Sequence, residues 1–295
     1  MTSSVASACA DTSESVIGLG VLGSLTVSFG GKCGTPSAPK LRNVLAMLMV
    51  HADQVVPVSV LTTELWGDEP PSSAQTTLQT YILNLRKMFV GATGISSDEV
   101  SREVLVTRTG GYMLKSDCSE LDTHDYDRYV AAGWAALDAR DDVLGVWNLT
   151  EALRIWRGPA LADVPLGRVL ESKRHALEES RLVVTEHLVG AKLRARMYRE
   201  VLTELAALTT EHPLHEGLQA QYMRALHLVG RRAQALEVFH RLRRNLIDEL
   251  GLEPEPHVQR VHQAILNSDT DLDADPRVSH AQPTTDRAST LRIVR

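Results

Sequence analysis

At 295 residues the chain is long enough for two domains of ordinary size, each able to bury a core without disulfides or metal. Its 43% hydrophobic and 23% charged residues are those of a soluble globular protein, and only 4% aromatic residues argue against an aromatic-lined binding groove. A formal charge of −6 disfavours nucleic acid for the chain as a whole, but the charge is uneven: residues 20–115 hold 8 Lys/Arg against 7 Asp/Glu, and the remainder holds 23 against 30.

Cys9, Cys33 and Cys118 are widely spaced, odd in number and never arranged as C-x-x-C, so they give neither a disulfide framework nor a zinc site and fit a reducing cytoplasm. No apolar run reaches the roughly 18 residues that a membrane span needs. The first 17 residues lack the basic start of a signal peptide.

Residues 1–19 are rich in Ser, Thr and Ala without a hydrophobic period and read as disordered. Val21 to Ser28 partly alternates before Gly30-Gly31, which predicts a strand ending in a turn. Leu41, Val44, Leu45, Leu48 and Met49 then fall on one helical face. The next segment, SVLTTELW, predicts a short helix, with Ser59 as its cap and Gly67 closing it in the left-handed conformation. Pro70 and Pro71 enforce a loop, after which Ser72 or Ser73 can cap a third helix whose buried stripe is Ala74, Leu78, Ile82, Leu85 and Phe89. VLVTRTGGYML reads as a hairpin around Gly110-Gly111. A small sheet, three helices and a C-terminal hairpin make an α+β winged helix-turn-helix over residues 20–116.

From residue 121 to 267 the pattern is all α. A 34-residue offset aligns Arg196 with Gly230, Val201 with Ala235, Leu205 with Phe239 and Leu208 with Leu242, and 34 is the tetratricopeptide period. An earlier repeat is degenerate. Residues 268–295 carry four aspartates at alternate positions and then no period, and read as a disordered tail.

The stretch PKLRNVLAMLMVHADQVVPVSVLTTELWGDEPPSSAQTTLQTYILNLRKMF together with TRTGGYML resembles the DNA-binding half of the Streptomyces antibiotic regulatory proteins. EALRIWRGPALADVP and RALHLVGRRAQALEVFHRLRRNLIDELGLEPEP resemble the bacterial transcriptional activation domain that follows it in that family. The resemblance implies an OmpR-like winged helix that binds tandem direct repeats in promoters of an antibiotic or similar cluster, as a homodimer on DNA, and recruits RNA polymerase through a sigma factor. It implies the small type, without an ATPase domain. Gly30-Gly31-Lys32-Cys33 is no P-loop, because no glycine stands five residues before Gly31 and cysteine replaces the Ser/Thr that would hold magnesium.

The polar side of the third helix supplies the donors and acceptors that a major groove is read with. Gln79 or Asn84 can take adenine, Arg86 can take guanine, and Thr76, Thr80 and Lys87 can meet phosphate or, for threonine, a thymine methyl. Such a face can also be merely solvated; its place between a proline loop and a wing favours DNA. Arg108, beside the hairpin tip, can reach the minor groove or a phosphate. The acidic loop Gly67-Asp68-Glu69 is repelled by phosphate and is assigned to polymerase contact, with a stiff spacer as the alternative. Trp66 and Tyr112 read as packed residues. Arg224–Arg244 holds six arginines against Glu237, a solvated face or a contact with DNA or an acidic partner. His212 and His215 lack a third ligand nearby. Metal, cofactor and catalytic motifs are absent from the sequence, so no enzyme is expected. The competing function is a protein-interaction scaffold whose winged helix binds no DNA.

Overall fold

The computed structural model describes residues 17–30, 32–117 and 119–267, which fall into two compact units divided between Ala195 and Arg196. The first unit opens with β1 (Ile17–Gly20), β2 (Thr26–Phe29) and β3 (Lys32–Cys33), three antiparallel neighbours. The alternation predicts one strand over Val21–Ser28, but Val21, Leu22 and Leu25 instead form a turn and are buried there. Carboxylates explain this: Val21 and Leu22 donate their amides to Asp122 at 2.9 Å, and Leu25 donates to Asp163 at 2.8 Å. A turn whose amides are satisfied can be buried, and its apolar side chains then mimic a strand pattern. Ile17–Leu19, expected to be disordered, are strand. The other disorder expectations, for residues 1–16 and 268–295, lie outside the described residues.

Helix α1 (Pro39–Met49) starts on proline at its first position, where the missing amide would have no partner anyway. After β4 (Val56–Pro57), helix α2 (Val58–Trp66) begins directly on Pro57, so Ser59 lies inside the helix and does not cap it. Gly67 has φ 65° as expected, but its ψ of −134° is not left-handed helical. Helix α3 (Ala74–Thr93) buries Ala74, Leu78, Ile82, Leu85 and Phe89, the expected stripe; Ser73 precedes it without a side-chain capping bond. The short α4 (Ser97–Glu99) opens with a Ser96/Glu99 capping box and runs into a π-helical turn, Val100–Val104.

Strands β5 (Leu105–Arg108) and β6 (Gly111–Leu114) form the wing, and β4 pairs with β6. Its two glycines serve different ends. Gly110 has φ 80°, whereas a Cβ on Gly111 would lie 2.2 Å from the Val56 carbonyl oxygen, so only glycine lets β4 approach. Strand β7 (Ser119–Leu121) returns to pair parallel with β1, giving the order β3-β2-β1-β7.

Three further helices, α5 (Asp122–Asp138), α6 (Asp142–Arg154) and α7 (Arg168–Arg194), complete the unit. The winged helix is therefore no separate body from them. Leu161, Val164 and Leu170 belong to the winged-helix core, and Leu22 of the β1–β2 turn belongs to the core of α5, α6 and α7. Polar groups close the same seam. Asp122 also accepts from Arg157 at 2.8 Å, and Asp163 pairs with Arg42. Burial opposes ionisation of Asp163, but the Leu25 amide and Arg42 outweigh it and hold its carboxyl below the usual range.

The second unit contains α8 (Tyr198–Glu211), α9 (Glu216–Leu228), α10 (Arg232–Leu250) and α11 (Pro256–Leu266). They form two helix hairpins at the predicted 34-residue offset. Arg196 (φ 61°) and Gly230 (φ 79°) occupy equivalent positive-φ turns. Val201, Ala235, Leu205, Phe239 and Leu242 are buried, and Leu208 is half-buried. His215 caps α9, its Nδ1 accepting the Leu218 amide at 3.2 Å.

Candidate nucleic-acid interface

With successive residues about 100° apart around a helix, Thr76, Gln79, Thr80, Asn84 and Lys87 share the face of α3 opposite its buried stripe, and all five are exposed. Thr80 donates its hydroxyl to the Thr76 carbonyl at 3.0 Å, so its methyl and its hydroxyl lone pairs are what it has left to offer. At the centre of this polar face stands Leu83, 51% exposed. No periodic signal marks it, because an apolar residue on a polar face breaks the pattern.

Arg86 stands apart from the expected base readers. It lies at the edge of the face, one turn from buried Ile82, and is half-buried. Its Nε and Nη2 donate to the Leu105 carbonyl at 3.0 and 2.8 Å, and Nη2 also donates to the Thr107 hydroxyl at 2.8 Å. Burial lowers its pKa from the usual arginine value. The guanidinium thus straps the first wing strand to α3 and fixes the distance between helix and wing, which engages three of its five N–H donors. Arg108 is exposed at the end of β5, beside the turn of the wing. Buried Tyr112 is core, and Trp66 packs against the same core with Lys40 Nζ 4.9 Å above its ring.

The loop after α2 is exposed from Gly67 to Ser73. Asp68 is engaged by Arg168 at 2.9 Å, an exposed pair of little energetic weight. No hydrogen bond or ion pair holds the Glu69 carboxylate among the described residues. One turn earlier, Glu64 is only 5% exposed. Its carboxylate accepts the amides of Gly167 (2.6 Å) and Val169 (2.8 Å), with Leu170 at 3.4 Å. These are the first amides of α7, so a side chain of the helix-turn-helix caps a helix a hundred residues away, where the helix dipole favours negative charge. Asn43 of α1 adds a bond to the Pro165 carbonyl at 2.7 Å.

No helix among the described residues is long and apolar enough to cross a membrane. Residues 35–114 match the family described as "Transcriptional regulatory protein, C terminal", and residues 121–266 match "Bacterial transcriptional activator domain". The second match runs across the division at Ala195, so the family boundary and the packing boundary differ. The chain is 42% identical to the regulatory protein DnrI of Streptomyces peucetius over 255 residues, covering 86% of this chain and 94% of that one. It is 33% identical to the regulatory protein AfsR of Streptomyces griseus, covering 85% of this chain but 25% of AfsR. Mycobacterium tuberculosis EmbR, solved in complex with a low-affinity phosphopeptide, superposes with a TM-score of 0.78 at 33% identity, covering 85% of this chain and 65% of that one. A winged helix and an activation domain in this order, shared with regulators along nearly the whole of DnrI, place the chain in the Streptomyces antibiotic regulatory protein family of transcriptional activators.

Proposed function

We propose that the chain activates an antibiotic or related biosynthetic cluster by binding direct repeats in its promoters and recruiting RNA polymerase. The exposed face of α3, with Thr76, Gln79, Thr80, Asn84 and Lys87 around Leu83 and Arg108 on the adjoining wing, carries this reading. A helix of that width fits a B-form major groove, amide side chains match adenine bidentately, and Lys87 and Arg108 supply phosphate or minor-groove contacts. The near-neutral head gains little from counterion release, which favours two protomers on adjacent repeats, since linking two weak events raises avidity. Footprinting of the full chain on promoter DNA across salt concentrations tests this. Protection of two repeats that weakens with salt and collapses when one is scrambled is expected. Undiminished binding to a single repeat removes the paired arrangement, and no sequence-selective binding leaves the protein-interaction reading.

Arg86→Ala is expected to weaken binding to all sequences alike, by about 1–2 kcal/mol, because a loosened wing carries no base preference. Arg86→Lys, with no fork, rescues little. Relaxed preference at a single base pair, measured by selection from a randomised site, would return Arg86 to the base-reading set.

The loop Gly67-Asp68-Glu69 is assigned to a basic surface of a sigma factor, with Glu69 as the contact and Asp68 available on release from Arg168. Replacing Asp68 by Ala and Glu69 by Gln is expected to leave promoter affinity near normal and lower transcript yield with purified polymerase. Equal yields from variant and parent make the loop a spacer.

A further inference from the structure

Within the second unit, α8, α9 and α10 enclose an open groove of about 320 Å³. Arg231 and Arg241 stand along its α10 wall, with Glu237 between them, and Tyr222 lines it from α9. The two arginines differ from others in the basic stretch. Arg243 is held by Glu253 at 2.5–2.6 Å, and Arg232 by the Leu266 carbonyl at 2.7 Å. Arg231 donates one N–H to Gln234, and Arg241 has no hydrogen-bond or ion-pair partner among the described residues. Both are exposed.

We propose that this groove is the docking site of the chain's own acidic segment, Asp269-Thr270-Asp271-Leu272-Asp273-Ala274-Asp275, which lies outside the described residues. Three observations converge on it. The bond from Arg232 to Leu266 sets the last residue of α11 at the N-terminal end of α10, so the chain leaves the helix beside Arg231. Only Asn267 and Ser268 intervene before Asp269, a reach of about 10 Å at most. The lengths also agree: Arg231 and Arg241 are about 15 Å apart along the helix, and the segment from Asp269 to Asp275 spans at most about 20 Å. Finally, aspartates at alternate positions point to one side of an extended chain, which lets two of them face two arginines while Leu272 and Ala274 lie on the other side. Exposed ion pairs are individually weak, but a tether this short gives an effective concentration in the millimolar range. Docked, the segment withholds Arg231 and Arg241 from DNA phosphates and from acidic partners.

The test places a fluorophore on Ser279→Cys of the full chain, with Cys9, Cys33 and Cys118 replaced by serine, and reads its time-resolved anisotropy. A slow component is expected in low salt. It is lost in Arg231→Gln/Arg241→Gln, in the chain with all four aspartates changed to asparagine, and as salt shortens the screening length. Circular dichroism of the arginine variant checks that the unit remains folded. Arg231→Glu/Arg241→Glu combined with Asp→Lys at positions 269, 271, 273 and 275 restores the slow component. A fast probe in every chain overturns the proposal, as does a slow component indifferent to the arginines. One that grows with protein concentration overturns it in favour of a second copy's tail.

Discussion

A fragment of residues 1–195 is expected to unfold as one cooperative unit near the full chain's first transition, whereas a fragment ending at residue 116 is expected to lose most or all of its stability. Cutting at 116 removes β7, the neighbour of β1 on that side of the sheet, and removes Leu121, Leu161, Val164 and Leu170 from the winged-helix core. At about 1.5–3 kcal/mol for each fully buried aliphatic side chain, that is roughly 6–12 kcal/mol. The whole stability of a domain is about 5–15 kcal/mol. The same cut leaves the amides of Val21, Leu22 and Leu25 without Asp122 and Asp163, and exposes Leu22. Urea titration followed by circular dichroism reads the difference. A 1–116 fragment with an unchanged midpoint would show that the winged helix stands alone.

Glu64→Ala is expected to be the most damaging single substitution at this seam, at roughly 2–4 kcal/mol. The carboxylate is buried and accepts from Gly167 and Val169, with Leu170 nearby, so its removal orphans amides that water reaches poorly. It also withdraws negative charge from the start of α7, a helix of 27 residues. Glu64→Gln keeps one acceptor oxygen and is expected to cost about half as much. An effect below about 0.5 kcal/mol, typical of surface changes, would mean that the amides find other partners. The comparison with Asp68→Ala sharpens the test, because that exposed pair with Arg168 should register almost nothing.

The contrast between these two carboxylates shows what the sequence can convey. Asp68 and Glu69 draw notice beside two prolines, yet Asp68 makes only a surface pair, while Glu64, itself unremarked inside a predicted helix, caps α7. Periodicity reports which face of an element is buried, so the α3 stripe, the α1 stripe and the 34-residue repeat are all legible. It cannot report a partner a hundred residues away, and Glu64, Asp122 and Asp163 all act at that range. Arg86 shows the same limit at closer quarters: its spacing fits the exposed face, and only the position of β5 reveals that three of its five donors are engaged there. The Val21–Ser28 alternation misleads because side chains buried from a turn leave the same trace as those of a strand.

The bonds that close the first unit join residues far apart in the chain: Val21 to Asp122 across 101 positions, Leu25 to Asp163 across 138, and Val169 to Glu64 across 105. Contacts of such separation form slowly, because a long loop must close before they reward it. They also set an order of events during translation. With synthesis at about 5–20 residues per second, the roughly 50 residues between the end of the wing and the start of α7 take some 3–10 s to appear. The winged helix, although made first, is completed only when Gly167, Val169 and Leu170 reach Glu64, so its apolar seam is the last part of it to close.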